Sequence, residues 1–157
     1  MDKLLQKFND IKLEVDSRSS EEESEQTPLN SFLEYMLEIL EQEARILPNP
    51  IVEYTESKEG HIRAFAIDEE EKRLDIFDGK YLSGNKIENI PKSDIDKSQK
   101  TLRKFLYDFE SEDISFFDKS NKKKSIIMKS LKKSISDISM INIFFITNGT
   151  TRLAQNM

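Results

Sequence analysis

The chain has 157 residues, of which 36% are apolar and 34% charged, so it can form one domain with a core but is polar enough that part of it should lie outside that core. It contains no cysteine and a single histidine, which excludes disulfides, thiolate zinc sites and histidine-rich metal sites. A bound cation would therefore rest on carboxylates, which suits Mg²⁺ or Mn²⁺. No apolar run approaches the ~20 residues of a membrane helix and the N-terminus has no secretion signal, so we expect a cytoplasmic protein without a membrane partner.

The net charge of −6 is distributed unevenly along the chain. Residues 1–60 carry 6 basic and 15 acidic side chains, whereas residues 61–157 carry 18 basic and 15 acidic ones. The protein as a whole is therefore not an electrostatic nucleic-acid binder, and only a local patch in its second part could contact DNA or RNA.

The N-terminal region reads as a helix followed by a linker. Leu4, Phe8, Ile11 and Val15 share one helical face, and the following segment DSRSSEEESEQT has no apolar residue. We therefore divide the chain into an amphipathic helix over 1–15, a flexible acidic linker over 16–27 and an α/β domain over 28–157. The helix could pack on the domain or serve oligomerisation.

The domain opens with a predicted helix and three strands. Thr27 and Pro28 form a helix start, apolar residues then recur at three- and four-residue spacing, and Pro48 and Pro50 end the helix. Strand-like segments follow at Ile51–Thr55, His61–Ile67 and Arg73–Leu82, with the acidic run at 68–71 as a hairpin turn.

The second half of the domain predicts two helices and a last strand. One helix begins near Ser93 and runs through Phe109, and a Lys-rich amphipathic helix follows it. Met140–Ile146 is almost wholly apolar, which is typical of a strand buried on both faces. A strand reached through helices pairs in parallel with an earlier one, so the fold class is α/β with a mixed β-sheet flanked by helices.

Four stretches in this order carry a resemblance to a known family: FLEYMLEILEQEARI, HIRAFAIDEEEKRLDIFDGKYL, TLRKFL and INIFFITNG. From about residue 28 to 150 the chain resembles the N-terminal domain of the abortive infection phage resistance (AIPR) family. The resemblance implies a restriction-endonuclease-like core of order α-β-β-β-α-β and a role in phage defence. It also implies that a further C-terminal region of a longer chain is a partner of this domain.

The same resemblance implies where a nuclease site would lie. Such a fold has one acid on its second strand, and an acid and a Lys spaced by one residue on its third. Asp78 and Lys80 have that spacing, which makes Asp78 the candidate metal ligand, Lys80 the candidate catalytic lysine and Mg²⁺ the cofactor if the site is active. The register places Arg63 where the second acid should be, while Asp75 falls on the opposite strand face and Asp68 in the hairpin.

Other interpretations of these residues remain open. Asp78-Gly79 could close a hairpin turn or lie in a plain strand, and Arg63 with Lys80 could form an inactive phosphate-binding site. Glu34, Glu38 and Glu41 share one face of the first domain helix; nucleases of this fold sometimes use an acid from that helix, but the pattern favours an ordinary solvated face. Candidate nucleic-acid contacts besides Arg63 lie on the Lys-rich helix, at Lys122, Lys123, Lys124, Lys129, Lys132 and Lys133.

The missing second-strand acid favours a catalytically degenerate nuclease-fold module that serves binding, assembly or regulation in a phage-defence protein. An active Mg²⁺-dependent nuclease and a non-catalytic nucleic-acid-binding module are the alternatives, and homo-oligomerisation through residues 3–15 is a fourth possibility.

Overall fold

The computed structural model describes residues 3–20, 27–111, 129 and 131–151. Its elements in chain order are α1 (Lys3–Ser19), α2 (Pro28–Gln42), β1 (Ile51–Glu56), β2 (His61–Asp68), β3 (Arg73–Lys80), α3 (Lys92–Ser111) and β4 (Met140–Thr147). Residues 131–135 are also helical. No helix within the described ranges is both long and apolar enough to cross a membrane.

The four strands form one mixed sheet of order β1-β2-β3-β4. The β1–β2 and β2–β3 pairs are antiparallel, as expected for strands joined by short turns. β4 pairs with β3 in parallel over all eight residues, because the chain crosses back through α3 before it returns to the sheet. The predicted mixed sheet flanked by helices is thus confirmed.

Two helical layers cover opposite faces of this sheet. α2 begins at an N-cap, where the Thr27 hydroxyl accepts a hydrogen bond from the Asn30 N–H, and it buries Leu33 and Leu37 in a cluster with Phe77 of β3. α3 buries Leu102, Phe105 and Phe109 against the other face, in a cluster with Leu74 and Ile76. This division follows from the strand pleat, which turns successive side chains to opposite faces. Each fully buried side chain of this kind stabilises the fold by roughly 1.5–3 kcal/mol.

α1 packs on its own domain. Phe8 is 2% exposed and Val15 is fully buried, so these residues of the predicted apolar face pack against the domain, whereas Leu4 of the same face is 53% exposed. Oligomerisation through residues 3–15 stays a prediction.

α1 also extends further than predicted. It continues to Ser19, so residues 16–19 belong to the helix and not to the linker, and residues 21–26 lie outside the described part of the chain. The physical reason is Arg18, whose guanidinium donates to Glu14 one turn back and forms a bidentate pair with Glu38 of α2, with distances of 2.8–3.1 Å. These pairs raise the pKa of Arg18 and fasten the end of α1 to α2.

β4 differs from its prediction as a strand buried on both faces. It is an edge strand, so only one of its sides is paired in the described sheet. Its side chains do reach both helical layers, since Ile143 packs against the α3 side and Phe144 against the α2 side. Yet Met140 is 56% exposed and Ile141 42%, and only Ile146 is buried.

Two buried carboxylates hold loops to this framework. Asp75 is fully buried and accepts hydrogen bonds from the Leu47 N–H, the Arg73 guanidinium and the Asn142 amide, at 3.0–3.1 Å. Asp75 thereby ties the connection between α2 and β1 to β3 and β4, a structural role on the sheet face that α2 covers.

Asp108 of α3 anchors the β1–β2 turn. It accepts hydrogen bonds from the Ser57 hydroxyl at 2.7 Å and from the Glu59 N–H at 2.8 Å. These two donors, the Ser57 hydroxyl first, lower the pKa of Asp108, although burial opposes the effect.

Candidate functional site: the Asp78 cluster

Asp78 lies inside β3 and not in a turn. Its backbone pairs with Phe145 of β4, so the hairpin-turn interpretation of Asp78-Gly79 is wrong and the strand interpretation is confirmed. Gly79 is needed for close approach, because a Cβ there would lie 2.6 Å from the Ile146 carbonyl oxygen and 3.1 Å from a Leu33 methyl group. The glycine therefore allows β4 and α2 to pack tightly beside Asp78.

Arg63 of β2 pairs with Asp78 across the strand ladder. The register pairs Ala64 with Phe77, which brings Arg63 opposite Asp78. The Arg63 Nε donates to Asp78 Oδ1 at 2.9 Å. The residue at the expected position of a second acid is thus a cation that neutralises the first one.

The remaining contacts of Asp78 come from α3 and from the start of β2. The Ser98 hydroxyl donates to Oδ2 at 2.6 Å, and His61 Nε2 lies 3.7 Å from Oδ1, beyond hydrogen-bond distance. Burial by itself would raise the pKa of Asp78. The His61 ring, the Ser98 hydroxyl and the Gly79 N–H together outweigh burial and hold the pKa of Asp78 below its ordinary value. The Asp78 carboxylate therefore stays ionised among the polar groups that surround it.

Tyr54 of β1 closes the cluster on its outer side. The Arg63 guanidinium lies over the Tyr54 ring at 5.0 Å from the centroid, and the His61 ring lies 5.3 Å from the same ring. Burial, followed by a hydrogen bond with Glu56, raises the pKa of Tyr54. A guanidinium held between a carboxylate and an aromatic face has little freedom to swing toward another anion. We call Asp78, Arg63, Ser98, His61 and Tyr54 the Asp78 cluster.

Lys80 follows Asp78 on the same side of β3 but is engaged elsewhere. Its ammonium lies 2.8 Å from an Asp94 carboxylate oxygen in the first turn of α3. Arg63 and Lys80, the two cations considered for a phosphate-binding site, are therefore both paired with carboxylates.

The cluster is poorly suited to hold a metal ion. No group of three or more metal-ligating side chains occurs among the residues that the structure describes. Asp78 offers the only carboxylate in the cluster, and Arg63 occupies its Oδ1. A Mg²⁺ placed about 4 Å from the guanidinium would meet a repulsion on the order of 8 kcal/mol at an effective dielectric constant of about 20. One further oxygen ligand would not offset that.

The other acids considered from the sequence lie outside the cluster. Asp68 caps the β2–β3 hairpin by accepting from the Glu70 and Glu71 N–H groups. On α2, Glu38 pairs with Arg18 and Glu41 accepts from the Asn49 N–H at 2.5 Å. α2 packs on the sheet face opposite Ser98, so neither acid can complete a site around Asp78.

The Lys-rich helix is described only in part. Lys122, Lys123 and Lys124 lie outside the described residues, whereas Lys129 and Lys133 are exposed. Lys132 serves the fold, because its ammonium donates to the carbonyl groups of Phe109 and Glu110 at the C-terminal end of α3.

A basic surface that was not predicted from the sequence lies on α3. Lys92, Lys97, Lys100 and Arg103 are all exposed on this helix, against exposed Asp96 and Glu110. The three- to five-residue spacing of these cations is typical of one side of a helix and could have predicted the surface. The acidic residues in the same segment make that pattern hard to recognise.

The described chain is thus a helix-flanked mixed sheet whose central strands carry a buried, internally neutralised carboxylate. The family of abortive infection phage resistance protein N-terminal domains matches residues 32–157. The protein belongs to this family, which places it among the phage-defence proteins of the abortive-infection class. No curated protein and no solved structure matches the chain.

Proposed function

We propose that this domain is a catalytically degenerate, restriction-endonuclease-like module that serves assembly or regulation in a cytoplasmic phage-defence protein. The order α2, β1, β2, β3, α3, β4 and the parallel β3–β4 pair support such a core. The module acts through the surfaces it presents and not through hydrolysis.

The observation that carries the proposal is the 2.9 Å contact between Arg63 Nε and Asp78 Oδ1. A phosphodiester-cleaving site of this kind needs a divalent cation that activates water and stabilises charge on the leaving oxygen. Here the Arg63 guanidinium lies at the position next to Asp78, and a guanidinium, unlike a metal ion, holds no exchangeable water. Lys80, the residue that would face the attacking water, is held by Asp94 instead.

The test is a cleavage assay on the purified chain. Supercoiled plasmid and single-stranded RNA are incubated with wild type, Lys80→Ala and Lys86→Ala in Mg²⁺ or Mn²⁺, and products are resolved on gels. Lys86 is an exposed lysine outside the Asp78 cluster and serves as the matched control. We expect no metal-dependent product from any of the three. Cutting that is abolished by Lys80→Ala but retained by Lys86→Ala would refute the proposal, whereas cutting equal in all three marks a contaminant.

A second candidate function is nucleic-acid binding without chemistry, and the α3 basic surface favours it. Four exposed cations against two exposed acids on one helix form a local positive surface in a chain of net charge −6. Such a surface binds phosphates by releasing counterions, which requires no base-specific contact.

Fluorescence anisotropy with a labelled oligonucleotide at 50–200 mM salt (roughly the range over which counterion release is resolved) tests this candidate. Neutralising Lys97, Lys100 and Arg103 to Gln should weaken binding and reduce the slope of log K against log salt by about 2–3. A control with Lys3, Lys7 and Lys86 changed to Gln removes the same charge from other exposed positions. Equal loss of binding in both triple variants would exclude α3 as the binding surface.

A further inference from the structure

The two edges of the sheet are built differently. β1 carries Glu53 and Glu56, and its pairing with β2 is interrupted by a bulge between Val52 and Thr55. Charges and bulges are the devices by which proteins prevent an edge strand from pairing with another chain. β4 forms the opposite edge, and its eight residues, MINIFFIT, contain no charge, no proline and no register shift.

β4 presents an edge that can accept a further strand. In a parallel pair such as β3–β4, alternate residues direct their N–H and C=O groups away from the partner strand. No strand pairs with that outer side of β4 among the described residues. At the start of the strand, the exposed Met140 and Ile141 extend an apolar surface onto the same edge.

The properties of β4 select a second copy of this chain as the partner. Two copies of one strand repel each other where like charges come to lie opposite one another across the antiparallel pair. β4 carries no charge, so no such repulsion opposes its self-pairing. Its apolar side chains reach both helical layers, so a twofold-related copy would continue both layers.

We propose that β4 pairs antiparallel with β4 of a second copy, which joins two four-stranded sheets into one of eight strands across a twofold axis. Eight residues at ~3.3 Å each give a contact edge of about 26 Å. An edge of that length buries less than the roughly 800 Å² per partner of a standard interface, so the dimer should be reversible and form in the micromolar range. This inference is independent of whether the Asp78 cluster is catalytic.

Analytical ultracentrifugation from about 5 to 500 μM, a range that brackets micromolar association, tests the dimer on the intact chain. Wild type should shift from its monomer mass of 18.4 kDa toward twice that value. Ile141→Lys places a charge on the edge and should keep the protein monomeric throughout. Leu13→Lys makes the same chemical change at a 69% exposed residue of α1 and should dimerise like wild type. Circular dichroism verifies that each variant is folded, and Met140→Lys replaces Ile141→Lys if the latter is not.

Hydrogen exchange on wild type locates the interface without any substitution. Amides of residues 140–147 should exchange at least tenfold more slowly at the high concentration, while those of β1 should not change. A wild-type monomer at the highest concentration would overturn the proposal. So would a dimer that survives the lysine substitution on β4, or concentration-dependent protection confined to other elements.

Discussion

Replacement of Arg63 by Ala should destabilise the fold by leaving Asp78 without its closest cation. The Asp78 side chain is 10% exposed and that of Arg63 26%, so the pair is mostly but not fully buried. Loss of one partner from a fully buried pair costs about 3–5 kcal/mol, and the remaining Ser98 hydroxyl and the partial exposure of the site reduce this to about 2–3 kcal/mol. Loss of the contact with the Tyr54 ring is included in that range.

A double-mutant cycle measured by urea unfolding at pH 7 isolates the interaction itself. Arg63→Met and Asp78→Asn, alone and combined, should give a coupling free energy of about 1.5–2.5 kcal/mol for two groups in direct contact. Because the pKa of Asp78 is lowered in the folded state, its contribution is complete above pH ~4 and declines as the pH falls through the folded pKa. The stability gap between wild type and Asp78→Asn should therefore narrow below pH ~4. A coupling energy below about 0.5 kcal/mol, the usual error of additivity for independent sites, would refute this account.

Three further substitutions test other features of the fold. Gly79→Ala should destabilise the domain by at least about 2 kcal/mol in urea unfolding, because the added Cβ would lie 2.6 Å from a backbone oxygen. Gly84→Ala is the control: its Cβ would have no atom within 4 Å, so the free energy of unfolding should change by less than about 0.5 kcal/mol. Equal effects of the two would contradict the packing described. Asp108→Asn should cost about 1–2 kcal/mol at pH 7 and progressively less as the pH falls below about 4, where an ordinary Asp becomes protonated. Because the pKa of Asp108 is lowered in the folded state, its stabilisation is lost as the pH falls through that pKa, and a cost independent of pH would contradict this account. Ala44→Gly should raise the melting temperature, because Ala44 follows α2 with a φ of 56°. This left-handed conformation costs a non-glycine residue roughly 1–2 kcal/mol. An unchanged or lower melting temperature would show that the substitution relieves no strain.

The secondary structure was largely predictable because apolar spacing and helix-start residues act locally. Thr27 caps α2 as its sequence indicates, and β2 begins at His61 as predicted. The end of α1 was missed because Arg18 gains its stability from Glu38, a residue of another helix that no local pattern reveals.

β4 shows the limit of composition as a guide to burial. An almost wholly apolar strand predicts contact on both faces, and Ile143 and Phe144 do pack on opposite faces. Composition carries no information on the order of strands in a sheet, however, and order decides that β4 is an edge with Met140 exposed.

The part of the candidate site that depends on the register of β2 and β3 was predictable from the sequence. Spacing along β2 and β3 placed Arg63 at the position expected for an acid, and in the structure it lies opposite Asp78. Ser98 gave no signal, because a serine in an amphipathic helix is usually solvated, and its role depends on the angle at which α3 crosses the sheet. The pairing of Lys80 with Asp94 depends on the same geometry.

The most direct test of the proposed degenerate site asks whether a divalent ion binds near Asp78. Mn²⁺ broadens amide signals near its binding site, so ¹⁵N-labelled protein titrated with up to one equivalent of Mn²⁺ reports the location of any bound ion. We predict that the amides of Asp78, Gly79 and Ser98 broaden no more than those of the exposed acidic residues on α2. Selective broadening of these three amides at substoichiometric Mn²⁺, lost in Asp78→Asn, would contradict the proposal that Arg63 takes the place of the metal.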